Sequence, residues 1–320
     1  MTLPSVRRFS HQAMGTYFEI FVAGEDESYA GQAARAAFRE IDRLEGQFSR
    51  FDPASEISRL SRLDPGERLP IGFEMFECLT LAESIRGETN GAFDVNWKRT
   101  SGAASPLKLH RTAAGFEARV LDSGDKILRP LDLDLGAIGK GYALDRSLEI
   151  LREWSIANAL VHGGTSTAIG IGSPTMKSEE QTPPGGSCAR PAGRSVAPPA
   201  GWPVGVGGGW PFEGAPREIL LTDGRALSGS GTEVKGRHIL DPRTGAPAAG
   251  HLAAWALHVS AAAADALSTA FMVMDTVAVE DYCRRHPDVW ALIIKAYGDG
   301  RTFGPPPPSP PCQNAGQSIY

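Results

Sequence analysis

Residues Asp134 to Asp145 read D-L-G-A-I-G-K-G-Y-A-L-D. Just upstream, Leu131, Leu133 and Leu135 alternate with Asp132 and Asp134, the period of a half-buried strand. Glycines at 136, 139 and 141 break that period before Tyr142, Ala143 and Leu144 open a helical pattern. A strand ending on a Gly-rich turn can aim backbone N–H groups at an anion beside the next helix, and Lys140 adds a mobile positive charge. The spacing is G-x-x-G-x-G, which is neither the dinucleotide fingerprint nor the mononucleotide loop. Taken alone, the stretch is either a phosphate site or a tight strand-to-helix turn.

The totals narrow the choice. The chain has 320 residues, 42% hydrophobic and 22% charged, enough apolar side chains for a sizeable core. A formal net charge of −5 and the lack of a Lys/Arg run argue against nucleic acid as a partner. Cys78, Cys188, Cys283 and Cys312 are scattered without a C-x-x-C pair, which reads as isolated thiols in a reducing compartment. No signal peptide follows Arg7 and Arg8, so a cytoplasmic location is expected. The most apolar window, Leu252 to Val279, contains Asp265 and Asp275 and reads as a buried strand plus helix, not a transmembrane segment.

Periodicity then assigns elements in order. Tyr17 to Ala23 alternates as a strand; Ser28 is placed to cap a helix that buries Ala30, Ala34, Ala37, Ile41, Leu44 and Phe48. Ser55 caps a short helix burying Ile57 and Leu60, while Phe51 just before it is either core or a surface for stacking on a planar ring. Phe73, Phe76, Leu79 and Ile85 mark a helix that Gly87 should end, and Thr89 to Val95 should be extended. After the central stretch come a helix with Leu144, Leu148 and Leu151 inward, a strand over 158–162 and a Gly-rich bend at 163–167. Of the 29 residues from Ser173 to Gly201, 14 are Pro, Gly or Ser, the composition of a solvated insertion. Strands are expected at 202–206, 218–221, around Trp255 to Val259 and, as the last, at 289–294. A tail from Gly304 is Pro-rich and expected to be disordered.

The helix expected over 262–274 supplies a second half-site. Asp265 and Thr269 stand at i and i+4, so a carboxylate and a hydroxyl share one face. Both are hard oxygen donors of the kind Mg²⁺ takes alongside substrate phosphate oxygens. The plainer alternative is an Asp capping a helix N-terminus, with Thr269 bonding back to a carbonyl. His238, ahead of the turn D-P-R-T-G, is open to a structural or a site role.

Six segments together resemble one family. They are M-G-T (14–16), S-R-F-D-P-A-S-E-I-S (49–58), G-A-F-D-V (91–95), the central stretch, H-I-L-D-P-R-T-G (238–245) and A-D-A-L-S-T-A (264–270). Their order is that of the ApbE-like flavin transferases, the FAD:protein FMN transferases, over a domain from about residue 10 to 300. The resemblance implies a Mg²⁺-dependent enzyme with FAD as substrate. A Thr or Ser of a target flavoprotein would attack the FMN phosphorus and AMP would leave. It further implies Asp265, Thr269 and the Ala137 carbonyl as metal ligands, and His238 and Asp265 as catalytic residues. The FAD contacts it implies are Met14, Phe51, Ala92, Phe93, Asp94, Asp134, Lys140 and Ile239.

Two departures accompany the likeness. Asn96 to Thr100 differs from the usual continuation of G-A-F-D-V, and the 173–201 insertion is foreign to the pattern. Many members are exported or lipid-anchored, so a periplasmic or membrane-associated location is the alternative it carries. Two other activities fit the same residues: FAD pyrophosphatase, with water replacing the target hydroxyl, and FAD binding without turnover. The expected fold class is α+β, with mixed, largely antiparallel sheets and packed helices, because loops and hairpin-like turns separate the strands as often as helices do.

Overall fold

A computed structural model of the chain describes residues 5–96, 106–121, 131–174, 201–206, 216, 218–232, 239–295 and 299–308. Its elements, in chain order, are β1 (Val6–Ala13), β2 (Thr16–Ala23), α1 (Glu27–Phe48), α2 (Glu56–Ser61), β3 (Arg68–Ile71), α3 (Phe73–Glu88), β4 (Leu107–Thr112) and β5 (Gly115–Val120). Then follow α4 (Gly139–Glu153), β6 (Ala159–Gly163), β7 (Thr167–Ile171), β8 (Trp202–Gly205), β9 (Glu218–Leu221), β10 (Arg225–Gly231) and β11 (His251–His258). The last are α5 (Ala261–Val273), α6 (Thr276–Arg285), β12 (Trp290–Lys295) and β13 (Gly300–Phe303).

Period-two alternation builds the frame. Eight strands pair antiparallel in the order β1-β2-β6-β7-β10-β11-β12-β13, with smaller sheets β3-β5-β4 and β8-β9. On one face, Phe18, Ile20 and Val22 of β2, Val161 of β6, Ala254 and Ala256 of β11, and Ile293 of β12 join the helices in the main core. On the other, Leu160, Ala168, Leu227, Leu257, Trp290, Leu292 and Ile294 pack with Trp202, Ile219 and Leu221 of the β8-β9 pair. A sheet covered on both faces explains why Trp290 to Ile294 is apolar throughout. The architecture is α+β with antiparallel sheets, as the sequence leads one to expect.

Helix α5 lies at the centre of the helical layer, against β10, β11, α4 and α3. Eleven of its residues are buried, six of them alanines, so neighbours approach it closely on all sides. Helix α4 does so most. A Cβ placed on Gly141 would stand 2.1 Å from the Ala261 carbonyl oxygen, a distance that no side chain permits. Gly141 is therefore fixed by the crossing of the two helices.

Several expectations are corrected. Leu131, Leu133 and Leu135 are buried in alternation, but the segment pairs with no strand among the described residues. Its N–H groups go to other partners: Asp132 donates to Asn96 Oδ1 (3.0 Å), Leu133 to Ser61 Oγ (3.2 Å) and Asp134 to the Val95 carbonyl (2.8 Å). Helix α4 starts at Gly139, inside the Gly-rich stretch, and not after it. Asp26, not Ser28, caps α1, accepting the Ser28 and Tyr29 N–H groups. Helix α3 runs through Gly87 to Glu88, because that glycine has a helical partner set and nothing forces a left-handed turn until Asn90 and Gly91. Those two residues, with φ of 51° and 75°, turn the chain and prevent 89–95 from forming a strand.

Strand β12 is followed by β13 and so is not the last. Residues 304–308, assigned by composition to a disordered tail, are described: Pro307 is buried and the Pro308 carbonyl accepts the Leu220 N–H at 2.8 Å. Most of the 173–201 insertion, with Cys188 and Cys312, lies outside the described residues, whereas Cys78 and Cys283 are free, buried thiols. Among the described residues, no helix is long and apolar enough to cross a membrane.

Candidate active site

The site grows from the contact between α4 and α5. Asp265, one turn into α5, is 4% exposed, and its carboxylate takes partners from three other elements. Oδ1 accepts from Thr167 Oγ1 of β7 (3.4 Å) and from Ser228 Oγ of β10 (3.3 Å). Oδ2 accepts the Gly141 N–H of α4 at 3.2 Å and faces the Lys140 ammonium at 3.4 Å. The carboxylate thus caps the start of α4, a neighbouring helix, while α5 itself is capped by Ser260. Thr269 bonds back to the Asp265 carbonyl at 3.4 Å and also meets Ser230 Oγ at 3.2 Å. The plain alternative for this helix is therefore half right: the back-bond forms, and the cap is across helices.

A hydroxyl cluster surrounds the carboxylate. Thr167 and Ser228 are 2.9 Å apart, Ser230 and Ser268 2.8 Å, and Ser268 donates to the Asp265 carbonyl at 2.9 Å. Sequence reading gives Thr167, Ser228, Ser230 and Ser268 no site role, although Thr167 ends the Gly-rich bend and Ser268 lies within A-D-A-L-S-T-A. The one available signal was S-G-S at 228–230, two serines at i and i+2 that a strand must place on one face.

Lys140 also donates to the Gly136 carbonyl (2.8 Å), whose own N–H goes to Asp134 Oδ1 (2.8 Å). Asp134 pairs with Arg50 at 2.6 Å, and the Arg50 guanidinium carbon lies 5.4 Å from the centre of the Phe51 ring. Phe51 is 86% exposed, which removes the core alternative for it and leaves a bare aromatic face. One chain of contacts thus joins Phe51, Asp134, Lys140, Asp265 and Thr269. Ala92 and Phe93 are buried, and Asp94 Oδ1 accepts the Asn96 N–H at 2.9 Å.

Asn96 opens the departing segment and is buried, where it ties 94–96 to Asp132. Ile239 belongs to the main core, and Met14 packs against it. Met14 occupies the two-residue turn between β1 and β2, with φ of 49° before Gly15 at 69°. Ile239 leads into the turn closed by Gly245 and accepts the Ala248 N–H at 2.8 Å. His238 lies outside the described residues.

The donor set bears on a cation. Among the described residues no three His, Cys, Asp or Glu cluster, so a cation here would take carbonyl and hydroxyl oxygens beside the carboxylate. Asp265 Oδ2 and Thr269 Oγ1 are such oxygens on one helix face, and the ammonium already beside Oδ2 shows that this edge attracts positive charge. The residues present fit a hard divalent ion that completes its shell with water and ligand oxygens.

The sequence profile of the ApbE family matches residues 14–294. The chain belongs to the ApbE family. The FAD:protein FMN transferase of Salmonella typhimurium is 24% identical, over 93% of this chain and 86% of its own length. That of Klebsiella pneumoniae is 25% identical, over 90% and 84%. Flavin transferase ApbE from Vibrio cholerae superposes with a TM-score of 0.69 at 19% identity, covering 94% of this chain and 97% of its own. The ApbE protein from Thermotoga maritima gives 0.68 at 22% identity, covering 93% and 97%. At these identities the ApbE structures establish a shared fold.

Proposed function

We propose that this chain is a Mg²⁺-dependent FAD:protein FMN transferase, which joins FMN from FAD to a Thr or Ser of a target flavoprotein and releases AMP. The observation that carries the reading is the Asp265 carboxylate, nearly buried, pinned through Oδ1 by two hydroxyls and turned through Oδ2 towards Lys140. Family membership and the names of the related transferases supply the reaction.

In this reading Asp265 Oδ2, the Thr269 hydroxyl and the Ala137 carbonyl hold Mg²⁺, which when bound supplies charge neutralisation for a diphosphate. Lys140 adds a second positive charge for the phosphate oxygens. Phe51 offers its exposed ring to the isoalloxazine, and Met14, Ala92, Phe93, Asp94, Asp134 and Ile239 line the rest of the FAD site. The target hydroxyl oxygen bonds to the FMN phosphorus. The bond from that phosphorus to the bridging oxygen breaks, and AMP carries the bridging oxygen away. His238, as a neutral imidazole, receives the hydroxyl proton.

The test incubates the protein with FAD, Mg²⁺ and a Thr-containing flavoprotein, followed by mass spectrometry of the acceptor and analysis of released nucleotide. A gain of one FMN on the acceptor, dependent on Mg²⁺ and lost in Asp265→Ala, is the expected result. AMP and free FMN without acceptor modification would instead mark a hydrolase, and FAD held uncleaved would mark a binding protein; either overturns the transfer.

A further inference from the structure

Helices α4 and α5 cap each other. Four residues after Gly141 on α4 stands Asp145; four residues after Ala261 on α5 stands Asp265. Asp145 accepts the Ala261 N–H (2.7 Å), the Ala262 N–H (3.0 Å) and the Ser260 hydroxyl (2.7 Å), which are the first donors of α5. In return Asp265 accepts the Gly141 N–H in the first turn of α4. Each carboxylate satisfies orphan N–H groups of the other helix, and each meets the positive end of the other's dipole. The crossing point is the Gly141–Ala261 contact, where there is no room for a side chain.

We propose that Asp145 is a positioning residue for the cation and phosphate site: by fixing the start of α5 against α4, it sets where Asp265 stands relative to Lys140. This rests on the reading of Asp265 and Lys140 given under Proposed function. The Asp145 carboxylate bonds Ser260, Ala261 and Ala262 at the start of α5, so its influence on Asp265 passes through the two backbones. The tie is stiff because three donors converge on one carboxylate, and sliding α5 would break all three together.

The experiment compares Asp145→Asn and Asp145→Ala with the full-length wild type, using Asp26→Ala as a control that removes an ordinary local cap at α1. Backbone hydrogen exchange is read at 260–263 and at 139–142, and Mn²⁺ affinity is measured by calorimetry or electron paramagnetic resonance. Faster exchange at both segments is expected in the Asp145 variants, since losing the cap on α5 also withdraws Asp265 from Gly141. Mn²⁺ affinity should fall roughly 10- to 100-fold, as for other groups that orient metal ligands. Asp26→Ala should leave both readouts as in the wild type.

Faster exchange confined to 260–263, with Mn²⁺ affinity within about twofold of wild type, would overturn the proposal and leave Asp145 a local cap. Should Asp145→Ala fail to fold, Asp145→Asn, which keeps one acceptor oxygen and the side-chain shape, carries the test. The exchange readout needs neither flavin nor cation. It decides the coupling of the two helices even if the transferase reading falls.

Discussion

Replacing Gly141 by Ala should separate α4 from α5 and dismantle the site. The added Cβ would lie 2.1 Å from the Ala261 oxygen, 2.5 Å from its carbonyl carbon and 2.7 Å from the Ala262 Cα. All three are backbone atoms, so no rotamer change relieves the overlap. Ordinary contact lies near 3.5 Å, and the helices must part by about 1 Å or more. Overpacking of this rigid kind costs up to about 3 kcal/mol, while Ala in place of Gly returns about 1 kcal/mol of helix propensity. The net loss is roughly 2 kcal/mol, which for a chain of 320 residues is a fall in Tm of about 3 °C. Because the same shift pulls Gly141 and Lys140 from Asp265, Mn²⁺ binding should weaken as well. Gly87→Ala in α3 is the matched control, since a Cβ there meets nothing within 4 Å. It should stabilise by about 0.5–1 kcal/mol. Thermal denaturation of the two variants, with Mn²⁺ titration, checks the argument. Equal Tm values for Gly141→Ala and Gly87→Ala would refute it.

Two further outcomes are expected. Asp265→Ala should abolish FMN transfer, and it should also lower stability by about 1–3 kcal/mol, because Gly141 N–H and the Thr167 and Ser228 hydroxyls lose their buried acceptor; activity assays and urea unfolding report the two effects separately. Burial of His162 on β6 pushes its pKa below the usual histidine value, against a smaller upward pull from Glu19. The folded state therefore resists the proton that the unfolded chain binds, and stability present above about pH 6.5 is lost as pH falls. Unfolding midpoints of His162→Gln should fall less steeply than wild type between about pH 7.5 and 5.5; parallel slopes would remove His162 as a source of acid sensitivity.

Local patterns in the sequence carry a good part of this structure. Phe18, Ile20 and Val22 alternate, and the α1 series from Ala30 to Phe48 recurs at helical steps, because each pattern is set by the geometry of its own element. Asp265 and Thr269 were legible as a pair for the same reason: one turn of helix brings them together whatever the rest of the chain does. The exposed ring of Phe51 was half legible, since an aromatic after a helix fits core and surface equally until its neighbours are known.

The central stretch shows where local reading ends. Its glycines announce a break in periodicity, and from the sequence that break reads as the turn before a helix. The structure instead places Gly139 and Gly141 inside α4, and the reason for Gly141 lies 120 residues away in the Ala261 carbonyl. Asp265 likewise takes its partners from β7, β10 and α4, at sequence separations of 98, 37 and 124. Asp145 closes the motif in the sequence and caps α5 only in the fold. The sequence by itself determined which residues could ligate, stack or turn. Tertiary packing alone decided which of them meet, because a helix crossing is set by the shape of two whole surfaces and leaves no periodic trace in either strand of sequence.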